Sequence, residues 1–286
     1  MQFILKICLN LAQNHKNGII FKFINLVEIC MQKNQKIALI SGASSGLGRE
    51  FARICAKDGY DLVITARNTE NLKTLENELQ TQFGISVFIF VCDLSLPNAT
   101  EQIYKFCKKN SLKIDILINN AGFGDHGFFD TSDLKKQLEM VQVNIVSLIE
   151  LTHLMLNLMP NGAKILNVAS AASLTPGPKM SVYYASKAFV RNFSLAISNE
   201  LKDRNISVLA FCPGPVTTNF GARANVKNAK LFARSDDAYE VALRGFKAMQ
   251  KGKVLLYDGK FMNLANLLTR IVPLKLSAKI TAYLNG

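Results

Sequence analysis

Tyr183 and Lys187 stand four residues apart in Tyr183-Tyr184-Ala185-Ser186-Lys187, and Ser170 lies thirteen residues before the tyrosine. At positions i and i+4 of a helix, a phenol and an ammonium share a face and can point into one cleft. A nearby cation stabilises the phenolate, which predicts a Tyr183 pKa lowered from about 10 toward the range of a proton donor at neutral pH. A Tyr and a Lys at this spacing also arise by chance. The chemistry therefore depends on whether the rest of the chain provides something for that phenol to protonate.

The elements that must position the pair begin at residue 37. Ile37-Ala38-Leu39-Ile40 is an apolar run of strand length, and Arg49-Glu50-Phe51-Ala52-Arg53-Ile54-Cys55-Ala56 carries Phe51, Ile54 and Cys55 at helical spacing. Between them lies Ser41-Gly42-Ala43-Ser44-Ser45-Gly46-Leu47-Gly48. Strand, glycine turn and helix in that order form an anion site: free N–H groups at the helix start face a phosphate, and glycine lets the backbone approach it. The spacing of Gly42, Gly46 and Gly48 differs from G-x-G-x-x-G, although the mechanics are the same. An ordinary turn rich in Gly and Ser is the plainer alternative.

Asp61-Leu62-Val63-Ile64-Thr65 reads as a second strand, with Arg67 just past its end. An acid at this position of a doubly wound sheet binds the ribose 2′-OH of NAD, whereas an Arg suits the 2′-phosphate of NADP. No acid occurs before Glu70, so NADP is favoured over a merely solvated Arg67. Further strands are expected at 86–91, 114–118, 164–169 and 206–211, separated by helical segments near 68–82, 97–109, 133–159 and 180–203. Such alternation predicts an α/β fold, a doubly wound Rossmann-type parallel sheet in a single domain. Ligands bind beyond the carboxyl ends of its strands, where the glycine turn, Arg67, Asp93, Asn119, Ser170 and Pro213-Gly214 fall.

Residues 37–257 resemble the short-chain dehydrogenase/reductase family. The resemblance rests on the Gly-x3-Gly-x-Gly turn (with Ser41 where a Thr is usual), Asn119-Asn120-Ala121-Gly122, Ser170 ahead of Tyr183-x3-Lys187, and Pro213-Gly214-x-Val216-x-Thr218. It implies that Tyr183 protonates a carbonyl oxygen, that Ser170 hydrogen-bonds the same oxygen, and that Lys187 holds the nicotinamide ribose and depresses the Tyr183 pKa. Asn144 matches the fourth catalytic member, which anchors a water-linked proton relay. The cofactor, NADP(H), is expected to lie on Gly42, Ser44, Ser45, Gly46, Leu47 and Gly48. Arg67 meets the 2′-phosphate, Asp93 the adenine, and Asn119 with Ala121 the groove. Tyr183, Lys187, Pro213, Gly214, Val216 and Thr218 surround the nicotinamide end. Ser41 replaces Thr with another hydroxyl, a minor departure.

Plainer readings stand beside these. Asn144 could be a polar residue satisfied within a helix pair, Ser173 a cap, and Tyr184 a second candidate phenol. His126 and His153 have no companion ligands at a metal spacing, so no metal is expected. Asp115 is expected to be an edge or capping acid. A non-catalytic NADP-binding sensor or scaffold of the same fold is the rival function, although a pure binder has no need of Tyr183 or Ser170.

The six cysteines lack any C-x-x-C pair, which favours reduced thiols and a cytoplasmic protein. The net charge of +13 is concentrated at the ends: residues 1–36 carry +4 and residues 251–286 carry +5, leaving +4 for the 214 residues between. No nucleic-acid recognition motif accompanies it. The chain divides into an extension over 1–33, a core over 34–258 and a basic amphipathic helical segment over 259–286. That last segment is expected to pack on the pocket or on a second subunit, with peripheral contact to the inner face of a membrane as the alternative. Neither apolar run of the extension approaches the roughly 20 residues that span a bilayer. Met31 sits where the family usually begins, so translation from Met31 is expected, with a membrane-contacting arm as the rival. A homodimer or homotetramer is expected.

Loop 215–235, with Arg223, Lys227, Lys230 and Arg234, should overlie the pocket. Phe123, Phe128, Phe129, Leu174, Pro176, Pro178 and Met180 should make its surroundings apolar. This suits a lipophilic carbonyl or secondary alcohol such as a 3-oxoacyl thioester, a steroid or a xenobiotic ketone.

Overall fold

Runs of Ile, Val and Leu too short for helices, each followed by a helix-period segment, form strands covered on both faces. In the computed structural model, which describes residues 36–218, 220–224, 236–259, 262–269 and 271–286, the first half contains β1 (Ile37–Ser41), α1 (Gly46–Lys57), β2 (Asp61–Ala66), α2 (Thr69–Phe83), β3 (Val87–Val91), α3 (Ala99–Lys109) and β4 (Ile114–Asn119). The second half continues through α4 (Leu134–Val141), a π-helical turn (Gln142–Val146), α5 (Ser147–Met155), β5 (Lys164–Val168), α6 (Ser181–Glu200) and β6 (Ser207–Pro213). It ends with α7 (Phe220–Arg223), α8 (Ala238–Gln250), β7 (Leu255–Asp258), α9 (Met262–Thr269) and α10 (Leu274–Asn285).

The strands form one sheet in the order β3-β2-β1-β4-β5-β6-β7, with every pairing parallel. The predicted doubly wound α/β sheet is therefore present. Strand order reverses between β1 and β4, and the crevice at such a switch point is where this architecture binds ligands. Successive side chains alternate between two cores. Ile40, Leu62, Ile64 and Phe211 pack under α1, α2 and α8, whereas Leu39, Val63, Leu117, Ile165 and Val208 pack with Ile103, Leu151 and Met155. Phe51 and Phe211 meet edge to face at 6.2 Å and join α1 to the sheet.

The segment expected as one helix over 133–159 is broken at Gln142–Val146, where the backbone widens. The Ser147 hydroxyl lies at the break, within donating distance of the Gln142 carbonyl (3.0 Å) and the Leu94 carbonyl (2.7 Å). Among the described residues this helical run, Leu134–Met155, is the one long and apolar enough to cross a membrane by composition. It packs against β4, α3 and α6, which is the placement of a core helix. Residues Ile37–Gly286 form one compact unit that includes α9 and α10. The expectations for the extension over 1–33, a start at Met31 and the basic residues Lys227, Lys230 and Arg234 fall outside the described residues. Asp115 accepts from the Ile37 backbone N–H at 2.9 Å, the capping role expected of it.

Candidate functional site

The floor of the crevice is the turn after β1. Gly42 has φ +68°, and a Cβ there would lie 2.9 Å from Ala121 Cα; one on Gly48 would lie 2.3 Å from the Gly42 carbonyl oxygen. Only glycine permits this closeness. The end of β4 clamps the turn: Asn120 Nδ2 donates to the carbonyls of Ser41 (2.9 Å) and Gly42 (3.1 Å). The Ser41 hydroxyl accepts from the N–H groups of Asn120 and Ala121, both at 3.1 Å, so a serine suffices where a threonine is usual. Ser45 caps α1 without a side-chain bond, which leaves the first-turn N–H groups directed at the crevice. Gly42, Ser44, Ser45, Gly46 and Leu47 line a cavity of about 910 Å³, and Gly48 lies behind them. This is a fitting cradle for a phosphate.

Arg67 follows β2 at the cavity rim with its side chain 70% exposed, and pairs with Asp93 at 3.7 Å. Burial pushes the Asp93 carboxyl up, but hydrogen bonds from Ser95 and the Arg67 charge outweigh it and hold the group below the usual carboxylate range. Across the cavity lie Pro213, Gly214, Val216 and Thr218. A methyl on Gly46 would come within 3.2 Å of Thr218 Cγ2, so this wall and the turn face each other directly.

One groove residue requires correction. Asn119 is buried beneath the sheet, where its Nδ2 donates to Thr152 Oγ1 (2.9 Å) and Asn167 Oδ1 (2.8 Å). Asn120, Ala121 and Gly122 line the cavity instead. Strand alternation could have shown this, because Asn119 shares its face with Leu117, which packs in the core against α5.

Ser170, at the end of β5, accepts from the Ala172 N–H at 3.1 Å and lines the cavity. Tyr183 and Lys187 lie one turn apart on α6, both buried and both lining it. Lys187 Nζ donates to the Val168 carbonyl at 2.8 Å and sits 6.0 Å from the Tyr183 ring centre. Burial drives the Tyr183 phenol up to about 12, partly offset by a hydrogen bond from Ser170. Burial also brings the Lys187 ammonium down to about 8. The expectation of a depressed Tyr183 pKa is thus corrected for the protein alone: desolvation raises the phenol, and Tyr184 adds to the rise.

Asn144 lies in the π-helical turn, a common setting for functional residues. Its amide is fully engaged: Nδ2 donates to the Phe123 carbonyl and Ser186 Oγ, both at 3.0 Å, and Oδ1 accepts from the Phe123 N–H at 3.1 Å. A Cβ on Gly122 would lie 3.0 Å from Asn144 Oδ1 and 3.3 Å from Lys187 Nζ, so Gly122 admits both groups to one corner. The structure therefore brings together Asn144, Ser170, Tyr183 and Lys187 beside the glycine turn.

The remaining wall is assembled from distant segments. Phe123, Met180, Tyr184, Phe220 and Asn285 line it, whereas Phe128 and Phe129 are exposed and do not. Leu174, Pro176 and Pro178 also lie off the lining. Tyr184 donates to Asn285 Oδ1 at 3.1 Å, which removes it as a competing acid. His126 Nε2 meets the Asn285 carbonyl at 2.9 Å, a structural role. His153 is exposed on α5. Ser173 is buried against Cys212 Sγ at 3.7 Å rather than capping a helix. The described cysteines are free, and among the described residues no cluster of His, Cys, Asp and Glu could hold a metal. Sequence reasoning missed the roles of Asn120, Ser186, Phe220 and Asn285. Asn120 and Ser186 lay inside quoted motifs, while nothing local marked Phe220 or Asn285.

Residues 36–229 match the family model described as short chain dehydrogenase. The 17-beta-hydroxysteroid dehydrogenase type 3 of Mus musculus is 35% identical over 202 residues, covering 68% of this chain and 64% of that protein. The very-long-chain 3-oxoacyl-CoA reductase of Anas platyrhynchos is 34% identical over 189 residues, covering 63% and 60%. The chain thus spans less than two thirds of the length of these relatives. Among solved structures, a short-chain dehydrogenase from Sphingobium yanoikuyae in complex with NADPH superposes with a TM-score of 0.72 at 27% identity, covering 78% of this chain and 87% of that one. One from Burkholderia phymatum in complex with NAD gives 0.71 at 25%, covering 82% and 91%.

Proposed function

The chain belongs to the short chain dehydrogenase family, and we propose that its cleft transfers hydride between NADP(H) and a lipophilic carbonyl or secondary alcohol. The observation that carries this reading is the convergence of Ser170, Tyr183 and Lys187 on the cavity floored by the glycine turn, with Asn144 buried behind Gly122 at its edge. A reduced nicotinamide, when bound, provides the hydride. The chain's own residues do the rest. Ser170 and Tyr183 hydrogen-bond the substrate oxygen, and Tyr183 gives it a proton as negative charge develops there. Lys187, buried and held by the Val168 carbonyl, places its positive field beside the phenol and so favours the phenolate against the rise that burial causes. The Asn144 amide is committed to Phe123 and Ser186, so its side chain holds the corner of the site beside Lys187.

NADP preference is supported by Arg67 at the rim after β2, with no acid at the strand end. Its pairing with Asp93 is long and solvent-screened, so the guanidinium is available to a 2′-phosphate at little cost. The aromatic and thioether lining by Phe123, Met180 and Phe220 favours a hydrophobic substrate. The two relatives, named for a steroid and for a 3-oxoacyl thioester, fall in that class.

The test is oxidation of NADPH and of NADH against a steroid ketone, a long-chain 3-oxoacyl thioester and a small water-soluble ketone. Turnover with NADPH, fastest on the lipophilic ketones, is expected. Saturable NADPH binding without turnover on any carbonyl would instead identify a sensor of the same fold.

A further inference from the structure

Helix α10 is turned inside out. Its buried face is polar: Ser277, Thr281 and Asn285, at i, i+4 and i+8, pack against the protein. Thr281 Oγ1 meets Thr175 Oγ1 at 3.1 Å, and Asn285 joins Tyr184 and the Pro178 carbonyl. The opposite face presents Leu276, Ile280 and Tyr283 to solvent, flanked by exposed Lys275 and Lys279. On α9 and just beyond it, Leu264, Leu267, Leu268 and Ile271 repeat an exposed apolar stripe at i, i+3, i+4 and i+7. Ordinary surface helices point such stripes inward, and exposed apolar area on this scale marks an interaction surface.

Charge selects the occupant. From Gly259 to Gly286 the chain has Lys260, Arg270, Lys275 and Lys279 and no acid. A symmetric contact with a second copy brings the same patch against itself, setting lysine against lysine near the two-fold axis. An anionic lipid surface accepts the leucines among its acyl chains and pairs its headgroups with the lysines at their edge. The geometry points to α9 and α10 as a docking face for an anionic membrane surface. Asn285, on the inner side of α10, lines the substrate wall, so docking sets the cavity against the layer in which lipophilic substrates dissolve. This goes beyond the proposed reaction and is testable without any turnover.

The experiment is cosedimentation of the full chain with vesicles of phosphatidylcholine, with and without phosphatidylserine, alongside its oligomeric mass in solution. Binding is expected only with phosphatidylserine, and to weaken as salt rises. Replacing Leu276 and Ile280 by Ser should lower partitioning at least about tenfold. Replacing Lys275 and Lys279 by Glu should lower it at least about 25-fold. Both variants should keep the wild-type solution mass, NADPH affinity and turnover of a water-soluble ketone. The proposal is overturned by absence of wild-type binding, by binding that neither variant disturbs, or by a wild-type dimer that either variant converts to monomer.

Discussion

The two halves of the cavity are built on different principles. The cofactor half is largely backbone: the Gly42–Gly48 turn, the start of α1 and the ends of β4 and β6, clamped by the Asn120 side chain and the Ser41 hydroxyl. The substrate half is made of side chains from segments far apart in the chain, with Phe123, Met180, Phe220 and Asn285 converging on Tyr183 and Tyr184. A backbone site tolerates almost no variation and leaves a motif in the sequence. A side-chain site can be rebuilt residue by residue, which lets one fold serve many substrates.

Substitutions can break that contrast, and those at the junction of the halves should cost most. Lys187→Met should lower kcat by about 10²–10⁴-fold, the usual worth of acid–base assistance. Its NADPH affinity should fall far less, and steady-state kinetics with direct binding separates the two. Within the cofactor half, Gly48→Ala forces a methyl toward the Gly42 carbonyl, where 2.3 Å is available. It should weaken NADPH binding about 100-fold, as expected when several backbone contacts are misplaced together. At the rim, Arg67→Ala should weaken NADPH by about tenfold, one charge-assisted contact, and leave NADH unchanged. In the substrate half, Gly124→Ala narrows the space beside Phe220, Met180 and Tyr183, which a new Cβ would approach at 3.0–3.2 Å. It should raise KM for a bulky ketone about three- to tenfold with NADPH affinity intact, because overpacking a pocket costs about 1 kcal/mol or more. An effect of Gly124→Ala on NADPH as large as that of Gly48→Ala would erase the distinction between the halves.

Legibility in the sequence follows the same division. Six of the seven strands and the placement of Arg67, Ser170, Tyr183 and Lys187 were readable because strand runs, glycine turns and i,i+4 spacing are local signals; the short edge strand β7 (Leu255–Asp258) was not. Asn119 was misassigned although the information was present, since its alternation with Ile118 sends it to the opposite face of the sheet. The pKa of Tyr183 was not readable: the sequence displays the cation but not the burial that raises the phenol. Asn285 was invisible in principle. It acts across 101 residues through Tyr184, and no local pattern encodes a contact of that separation. The apolar spacing of α10 was legible, whereas which of its faces would be buried was not.

The most direct test of the central claim is Tyr183→Phe, measured for NADPH binding and for ketone reduction on the same preparation. The substitution removes one hydroxyl and keeps the ring that packs against Phe220. If Tyr183 is the proton donor, NADPH affinity stays within about threefold of wild type while turnover falls by at least about 10². Turnover near the wild-type level, with NADPH bound normally, would contradict the account.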